Sequence, residues 1–452
     1  MTLRHGTTGG RTGEGADDPL APIHPDEAQA SGPAITRGPG GPTLPRGSLV
    51  ALLTGTALVR VGASGVTVGV QLYLADLAHG HPRGLVVGSV GAAQALTEMV
   101  LAPVMARYAD RFGRKLFVVG GPMVGAFAVL LIAASLGAAG IFEARLVEGI
   151  AAAAFVPTAL GAIAAATSGS VRVRARASGA FEAATLAGYA GGFLVGPFAY
   201  HYFGRGGFAV LAGAYLLAGL ICLVLVPRMP PRPVTRLSVL IRVVVGPGPM
   251  RSFLPAWLGT FGLLGAYGAN LASLLHHSPV SGQTLVRHLD TRLVSLILVG
   301  GILFLVVGIA LWTPWIPRLG PVTQMRRAVP GAWLFSAALL VANHVPLAGV
   351  PFVLPFGALG IVWVAGFGPA AVTFLADCSE GYDADRAALM SFYTATLAAG
   401  GAIGAFLGGF AVFLASMDGL VVFGALLAAM TFAMLARVVR YQRSIPESPL
   451  AV

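Results

Sequence analysis

Charge is scarce in this sequence. Only 10% of its 452 residues are Asp, Glu, Lys or Arg, whereas soluble domains carry about 25%. Hydrophobic residues make up 56%, and the mean hydropathy is +0.80. A soluble fold cannot hide that much apolar surface, so the expected solvent for most of the chain is a lipid bilayer. Lysine is nearly missing: Lys115 is the single lysine among 29 basic residues. A phosphate-binding loop needs Gly-Lys followed by Ser or Thr. Lys115 follows Arg114, so an ATPase site of that kind is excluded. Two cysteines, Cys222 and Cys378, are too few for a disulfide framework or a thiolate metal centre. They read as buried thiols. A Gly-x-Ser-x-Gly elbow, a His-Glu-x-x-His pair and a paired-cysteine pattern are also missing, so no enzyme, no metal and no cofactor are expected.

What is present divides into tails and oily runs. The first 46 residues are rich in Gly, Pro, Thr and acids without an apolar core. They read as a disordered tail and not as a signal peptide. Beyond them come twelve runs near the 20 apolar residues that a spanning helix needs. These are 49–75, 84–107, 115–138, 141–168, 177–202, 206–227, 252–275, 291–313, 328–346, 350–376, 387–414 and 417–438. The expected fold is therefore an all-α membrane protein of twelve transmembrane helices in two six-helix bundles. Residues 47–227 and 252–440 would form the bundles, with a linker at 228–251, a cytoplasmic tail at 1–46 and another at 441–452. "LSVLIRVVV" in the linker fits either a short interfacial helix or plain connection.

The net charge of +11 does not imply nucleic acid. Binders of that kind gather their basic residues on one face, and here they are split among short loops. Their distribution instead reports orientation. With the first tail in the cytoplasm, inner segments hold 19 basic residues, and outer loops hold only Arg83, Arg205, Arg287 and Arg292. Both termini are expected in the cytoplasm of a cell, with a bacterial inner membrane as the expected location. The halves echo each other as well. "ATLA" recurs at 184–187 and 395–398, and "DRFG" at 110–113 parallels "PRLG" at 317–320. Offsets of 211 and 207 residues fit a parallel repeat.

Five charges crowd into "ARYADRFGRKLF": Arg107, Asp110, Arg111, Arg114 and Lys115. The stretch falls in the turn between the second and third runs. Gly113 permits a tight turn, and Asp110 suits the free amides of a helix start. A cluster that only set topology would explain the basic residues, but not Asp110 and Gly113 at these spacings. The stretch resembles the signature loop of the major facilitator superfamily, Gly-x-x-x-Asp-Arg-x-Gly-Arg-Arg/Lys, with Ala106 in place of the first glycine. The resemblance extends over 47–440 through run count, orientation and central linker. It implies that Asp110, Arg111, Gly113, Arg114 and Lys115 act as a conformational latch, with Asp110 acting on the eleventh helix near Arg386.

"RLVEGIAAAAF" resembles a fourth-helix pattern in which Arg145 and Gly149 are the matching positions and the arginine takes part in proton transfer. Arg145 and Glu148 also share one helical face and are both candidates for proton coupling, with an internally neutralised pair as an equal alternative. "GYAGGFLVGPF" resembles the antiporter motif of drug–proton exporters at Gly192, Gly196 and Pro197. Tyr200 and His201 stand where a further glycine pair is usual, and a packing kink remains open.

Charges inside a membrane are costly and mark candidate function. Arg60 and Glu98 fall at matching depths, roughly 17–18 Å from one face at 1.5 Å per residue. They are expected to interact, with Glu98 as the proton-titrating group; a static ion pair is the alternative. Glu182 is expected to join a cytoplasmic network with Arg172, Arg174 and Arg176. The acids of "ADCSEGYDADR" are expected to meet basic loops of the other half. Candidate cavity residues are Gln71, Gln94, Tyr267, Asn270, Trp363 and Phe367, few of them polar, which suits amphiphilic compounds better than sugars. His276, His277 and His288 fit either metal binding or pH sensing, or neither.

The expected function is secondary transport by alternating access, with the proton as coupling ion and efflux of small organic or amphiphilic compounds. The alternatives are a metabolite importer or uniporter, and a membrane sensor or lipid-handling protein on the same scaffold. Expected partners are the bilayer and a small-molecule substrate, with the chain as a monomer.

Overall fold

A computed structural model describes residues 45–166, 171–229, 249–379 and 386–444, and the described residues are helical with no strand. The first half contains α1 (Arg46–Leu77), α2 (Gly84–Phe112), α3 (Arg114–Ala134), α4 (Ala138–Ala166), α5 (Val171–Phe203) and α6 (Gly207–Leu225). The second contains α7 (Pro249–Leu275), α8 (Thr291–Trp312), the short α9 (Ile316–Leu319) and α10 (Pro321–Ala328), then α11 (Pro330–His344), α12 (Val350–Val364), α13 (Phe367–Ser379) and α14 (Arg386–Ser444). Among the described residues, nine segments are long and apolar enough to cross a membrane. Two of these, Gly179–Leu225 and Ala395–Arg440, run to 47 and 46 residues, more than twice what one crossing needs.

The apolar runs found in the sequence become these helices with small shifts at their ends. The run 350–376 is the exception, because a turn at Ala365–Gly366 divides it into α12 and α13. The runs 387–414 and 417–438 form a single helical stretch, bent where Ala415 and Ser416 leave helical geometry. Gln283 clamps the bend: its Oε1 accepts from the Met417 amide at 3.2 Å, and its Nε2 donates to the Ala415 carbonyl at 3.4 Å. The repeat is visible in the backbone. Gly113, between α2 and α3, has φ 99° and ψ 131°. Gly320, between α9 and α10, has φ 71° and ψ 151°. Both values lie where side chains are strained and glycine is not, so the two loops share one glycine-dependent shape.

Each half has its own apolar core. One runs from Ala51 through Phe155 and Tyr215 to Val226, and the other from Phe253 through Phe374 to Val438. Across the seam, α2 lies against α14 with backbones nearly touching. A Cβ placed on Gly88 would fall 2.5 Å from the Ala405 carbonyl oxygen and 2.7 Å from Gly409 Cα. Small residues permit such approach where lipid gives helices no hydrophobic reason to associate.

The two ends of the bundle differ. One holds the loop at Asp110. The other holds His79, His81, His201, His276, His277, His288 and His344, every histidine among the described residues. Among those residues, each hydrogen bond between halves lies at or toward this histidine-rich end. The Gln71 amide donates to the Gly268 carbonyl at 2.7 Å and accepts from the Ser273 amide at 3.3 Å. The Ser278 amide donates to the Gly80 carbonyl at 2.8 Å, and Ser295 Oγ donates to the Phe193 carbonyl at 2.9 Å. The seam is therefore shut at that end.

Candidate functional site

A polar network crosses the core of the first half. Arg145 on α4 is 1% exposed and Glu148 is fully buried. Arg145 Nη1 donates to Glu148 Oε2 at 2.6 Å. Its Nη2 reaches Thr67 Oγ1 on α1 at 3.1 Å and Gln94 Oε1 on α2 at 3.0 Å. The phenol of Tyr215 on α6 donates to the other Glu148 oxygen at 2.8 Å. Four helices thus share one buried ion pair. A charge pair so placed needs its remaining lone pairs and protons satisfied, or desolvation outweighs attraction. Here the carboxylate is satisfied at both oxygens.

The local sequence explains why this site can form. Tyr215 needs room for a ring between α1 and α3, and glycines supply it. A Cβ on Gly62 or Gly125 would lie 2.5 Å or 2.7 Å from that ring. Gly149, the glycine of the Arg-x-x-x-Gly pattern, brings α4 against α2, where its Cβ would fall 2.5 Å from Thr97 Cβ. The glycines of the fifth run serve the same purpose: Gly192 and Gly196 lie against Val61, Ser64 and Gly65 of α1.

Arg60 and Glu98 form the second part of the network, 6% and 3% exposed. Their charges act on one another, but among the described residues no ion pair within 4.0 Å joins them. Arg60 instead lies over the Tyr189 ring, 5.4 Å from its centroid, a favourable arrangement for a desolvated cation. Glu98 Oε1 and Arg60 Nε are buried with no hydrogen-bond partner. Equal depth along neighbouring helices led to the expectation that the two interact; the static ion pair, the alternative, has no contact within 4.0 Å among the described residues. Depth fixes height in the membrane, whereas rotation about each helix decides contact.

The other candidate residues disperse. Gln71 is 2% exposed and joins the halves. Asn270 is fully buried and donates to the Ala266 and Ala405 carbonyls within the second half. Tyr267 packs edge-on against Phe335 at 5.2 Å. Trp363 is 44% exposed and donates to the Arg327 carbonyl, while Phe367 is 2% exposed in the second core. The break at Ala365–Gly366 sends this pair in different directions. Of the cavity candidates, only Gln94 meets the buried charges. Glu182 lies close enough to act on Arg60; the side chains of Arg172, Arg174 and Arg176, expected beside it, fall outside the described residues, as do those of Asp377, Glu380, Asp383, Asp385 and Arg386. Residues 1–44 and "LSVLIRVVV" also fall outside them.

In the loop at 106–117, Arg114 grips Asp110 at 2.8 Å and donates to the Gly161 carbonyl of α4 at 2.8 Å. Arg111 lies over the Phe112 ring at 5.4 Å. The described hydrogen bonds of this loop therefore stay within the first half, while a Cβ on Gly113 would lie 3.2 Å from the Met229 carbonyl oxygen in the linker. Among the described residues, no group of three or more His, Cys, Asp or Glu side chains could hold a metal ion.

Sequence reasoning missed Tyr215, Thr67 and Tyr189. A lone tyrosine in "GAYLLAGLICLV" was the available signal, since a phenol in such a run requires a buried partner. It also missed Asp76, which joins His276 across the seam at 3.2 Å.

Two packed halves, a helical membrane-type body and charges buried in its core mark a membrane transporter and not an enzyme. The chain belongs to the Major Facilitator Superfamily, whose family model matches residues 52–382. Multidrug resistance protein 1 of Bacillus subtilis (strain 168) is 30% identical over 161 residues, covering 34% of this chain and 38% of that one. Multidrug resistance protein 2 of the same organism is 28% identical over 121 residues, 26% of this chain and 30% of that one. The chain thus spans well under half the length of these relatives. Among solved structures, the nucleoside transporter NupG matches with TM-score 0.67 at 15% identity, covering 86% of this chain and 98% of that one. The human organic anion transporter MFSD10 (TETRAN) matches with TM-score 0.60 at 17% identity, covering 86% and 99%. These likenesses show the fold.

Proposed function

We propose that the chain is a proton-coupled exporter of small amphiphilic compounds, working as a monomer by alternating access. The Asp110 end faces the cytoplasm and the histidine-rich end faces outward. The observation that carries the reading is Glu98, a carboxyl group 3% exposed with one oxygen lacking a partner, within the field of Arg60. A buried carboxylate without full compensation is the group that takes up a proton. Glu148 is the contrasting case, since Arg145 and Tyr215 hold both its oxygens. Glu148 and Arg145 therefore keep the helices in register, and Glu98 exchanges the proton. Efflux is supported by the names of the two Bacillus subtilis relatives, and orientation by the positive-inside bias.

The test uses everted membrane vesicles with an acid interior and a panel of amphiphilic dyes. At least one dye is expected to accumulate and to be released when the gradient collapses. Glu98→Gln is expected to lose gradient-driven accumulation while retaining dye exchange. Accumulation that follows the gradient equally in Glu98→Gln would remove Glu98 from the coupling step.

A further inference from the structure

His276 follows the last residue of α7 and is 5% exposed. Its ring meets an oxygen at each nitrogen. Nδ1 lies 2.8 Å from the Leu289 carbonyl, and Nε2 lies 3.2 Å from Asp76 Oδ1 across the seam. Neither oxygen can donate: one is a backbone carbonyl, and the other belongs to a carboxylate whose second oxygen accepts the Tyr200 phenol at 2.7 Å. A neutral imidazole carries one N–H and so satisfies one of these oxygens, turning a lone pair toward the other. Only the imidazolium donates to both. The contact joins α1 and α5 of the first half to α7 of the second, where the halves are shut.

We propose that the imidazolium of His276, held by Asp76, is a proton-operated lock on the histidine-rich gate, and that loss of its proton lets the two halves part there. The lock deepens the alternating-access reading and rests on it, but it is independent of Glu98.

The surroundings have been set against the charge. Asp76 faces His276 from α1, with the Tyr200 phenol behind it on α5. From its own half come the His288 ring, 4.2 Å away between centroids, and the Asp290 charge. Asp290 is itself partnered by Arg292, while His201 and Arg205 act on Asp290 and Tyr200 from α5 and the turn after it. Burial pushes His276 down, but the Asp76 contact, the Leu289 carbonyl and the charges of Asp76 and Asp290 outweigh it and hold the imidazole above its usual value. His288 adds a titratable neighbour, and its Nδ1 donates to the His276 carbonyl at 3.2 Å. The Asp76 side chain is 47% exposed, so protons reach the pair from water at this end.

The sign follows from linkage. The shut gate binds the His276 proton more tightly than the open gate, so its stabilisation is complete below the ordinary histidine value of about 6.5. It is lost as pH rises through the higher value of the shut state, with opening favoured by up to about tenfold per pH unit in between.

The experiment places spin labels at Leu136→Cys and Leu347→Cys, exposed positions on the two halves at the histidine-rich end, in the full chain lacking Cys222 and Cys378. Distances are recorded in nanodiscs from pH 5.5 to 9 with no substrate or gradient. A Gly88→Ala chain, whose shut seam is sterically obstructed, supplies the open distance. The wild-type open population is expected to rise with pH, and His276→Gln and Asp76→Asn are expected to lose that dependence. A pH-independent wild-type distribution alongside a distinct Gly88→Ala distance overturns the lock and leaves alternating access standing. A single common distance in all chains at all pH values overturns both. Equal titration by His276→Gln also overturns the lock, and because wild type carries the main readout, a poorly folding variant does not rescue it.

Discussion

Replacing Gly88 by alanine should open the histidine-rich gate without unfolding either half. The added methyl would lie 2.5 Å from the Ala405 carbonyl oxygen, 2.7 Å from Gly409 Cα and 3.0 Å from Gly409 N. Carbon atoms in comfortable contact sit at about 3.5–4.0 Å, so α2 and α14 must separate locally by about 1 Å. All three neighbours are backbone atoms, and no rotamer change relieves the clash. Overpacking of this kind costs about 1–3 kcal/mol. Because the contact exists only while the seam is shut, that cost falls on the shut state. At 1.4 kcal/mol per factor of ten, the ratio of open to shut should rise about 5- to 150-fold. Spin-label distances between Leu136→Cys and Leu347→Cys measure the ratio directly. Gly213→Ala is the control, since nothing lies within 4 Å of its Cβ. An unchanged distance distribution in Gly88→Ala, with a melting temperature lowered by the full amount, would refute the reasoning. It would place the clash inside the fold and not at a moving seam.

Three further outcomes separate structural charges from working ones. Glu148→Gln leaves the Arg145 guanidinium buried without its carboxylate and should destabilise by about 3–5 kcal/mol, read as a large loss of thermal stability in detergent; Glu98→Gln, which breaks no ion pair within 4.0 Å among the described residues, should lose far less. Tyr215→Phe removes the 2.8 Å hydrogen bond to Glu148 and should cost about 1.5–3 kcal/mol, the range for a bond to a charged group, with a matching fall in melting temperature. Gly113→Ala forces a side chain into φ 99° and should cost about 1–3 kcal/mol. Gly47→Ala, at a position where a Cβ meets nothing within 4 Å, should cost no such amount in the same assay.

Helix existence was legible because lipid imposes one rule: an apolar run near 20 residues satisfies its backbone internally. Even the bend at Ala415–Ser416 fell in the gap between two runs. The shared glycine geometry at Gly113 and Gly320 was foreshadowed by "DRFG" and "PRLG". The site was less legible, since partners across helices depend on rotation and crossing, which one strand of sequence does not encode. Arg145 and Glu148 were readable as neighbours because three residues on one helix share a face. Tyr215, which completes their pairing, arrives from 67 positions further on. Arg60 and Glu98 were singled out as buried charges from the sequence, but the Tyr189 ring under Arg60 was not. Trp363 and Phe367, four residues apart, looked like one face until the turn at Ala365–Gly366 separated them. The histidines were visible as loop residues, while Asp76, which meets His276 across the seam, sits 200 positions away.

Coupling of substrate to protons is the central claim, and proton movement tests it most directly. A pH-sensitive dye trapped in proteoliposomes of the full chain would record internal pH when a transported amphiphile is added outside, with no gradient imposed beforehand. The account predicts a substrate-dependent proton current opposite in direction to the amphiphile, absent from Glu98→Gln. Amphiphile transport by the wild-type chain with no accompanying change in internal pH would contradict it.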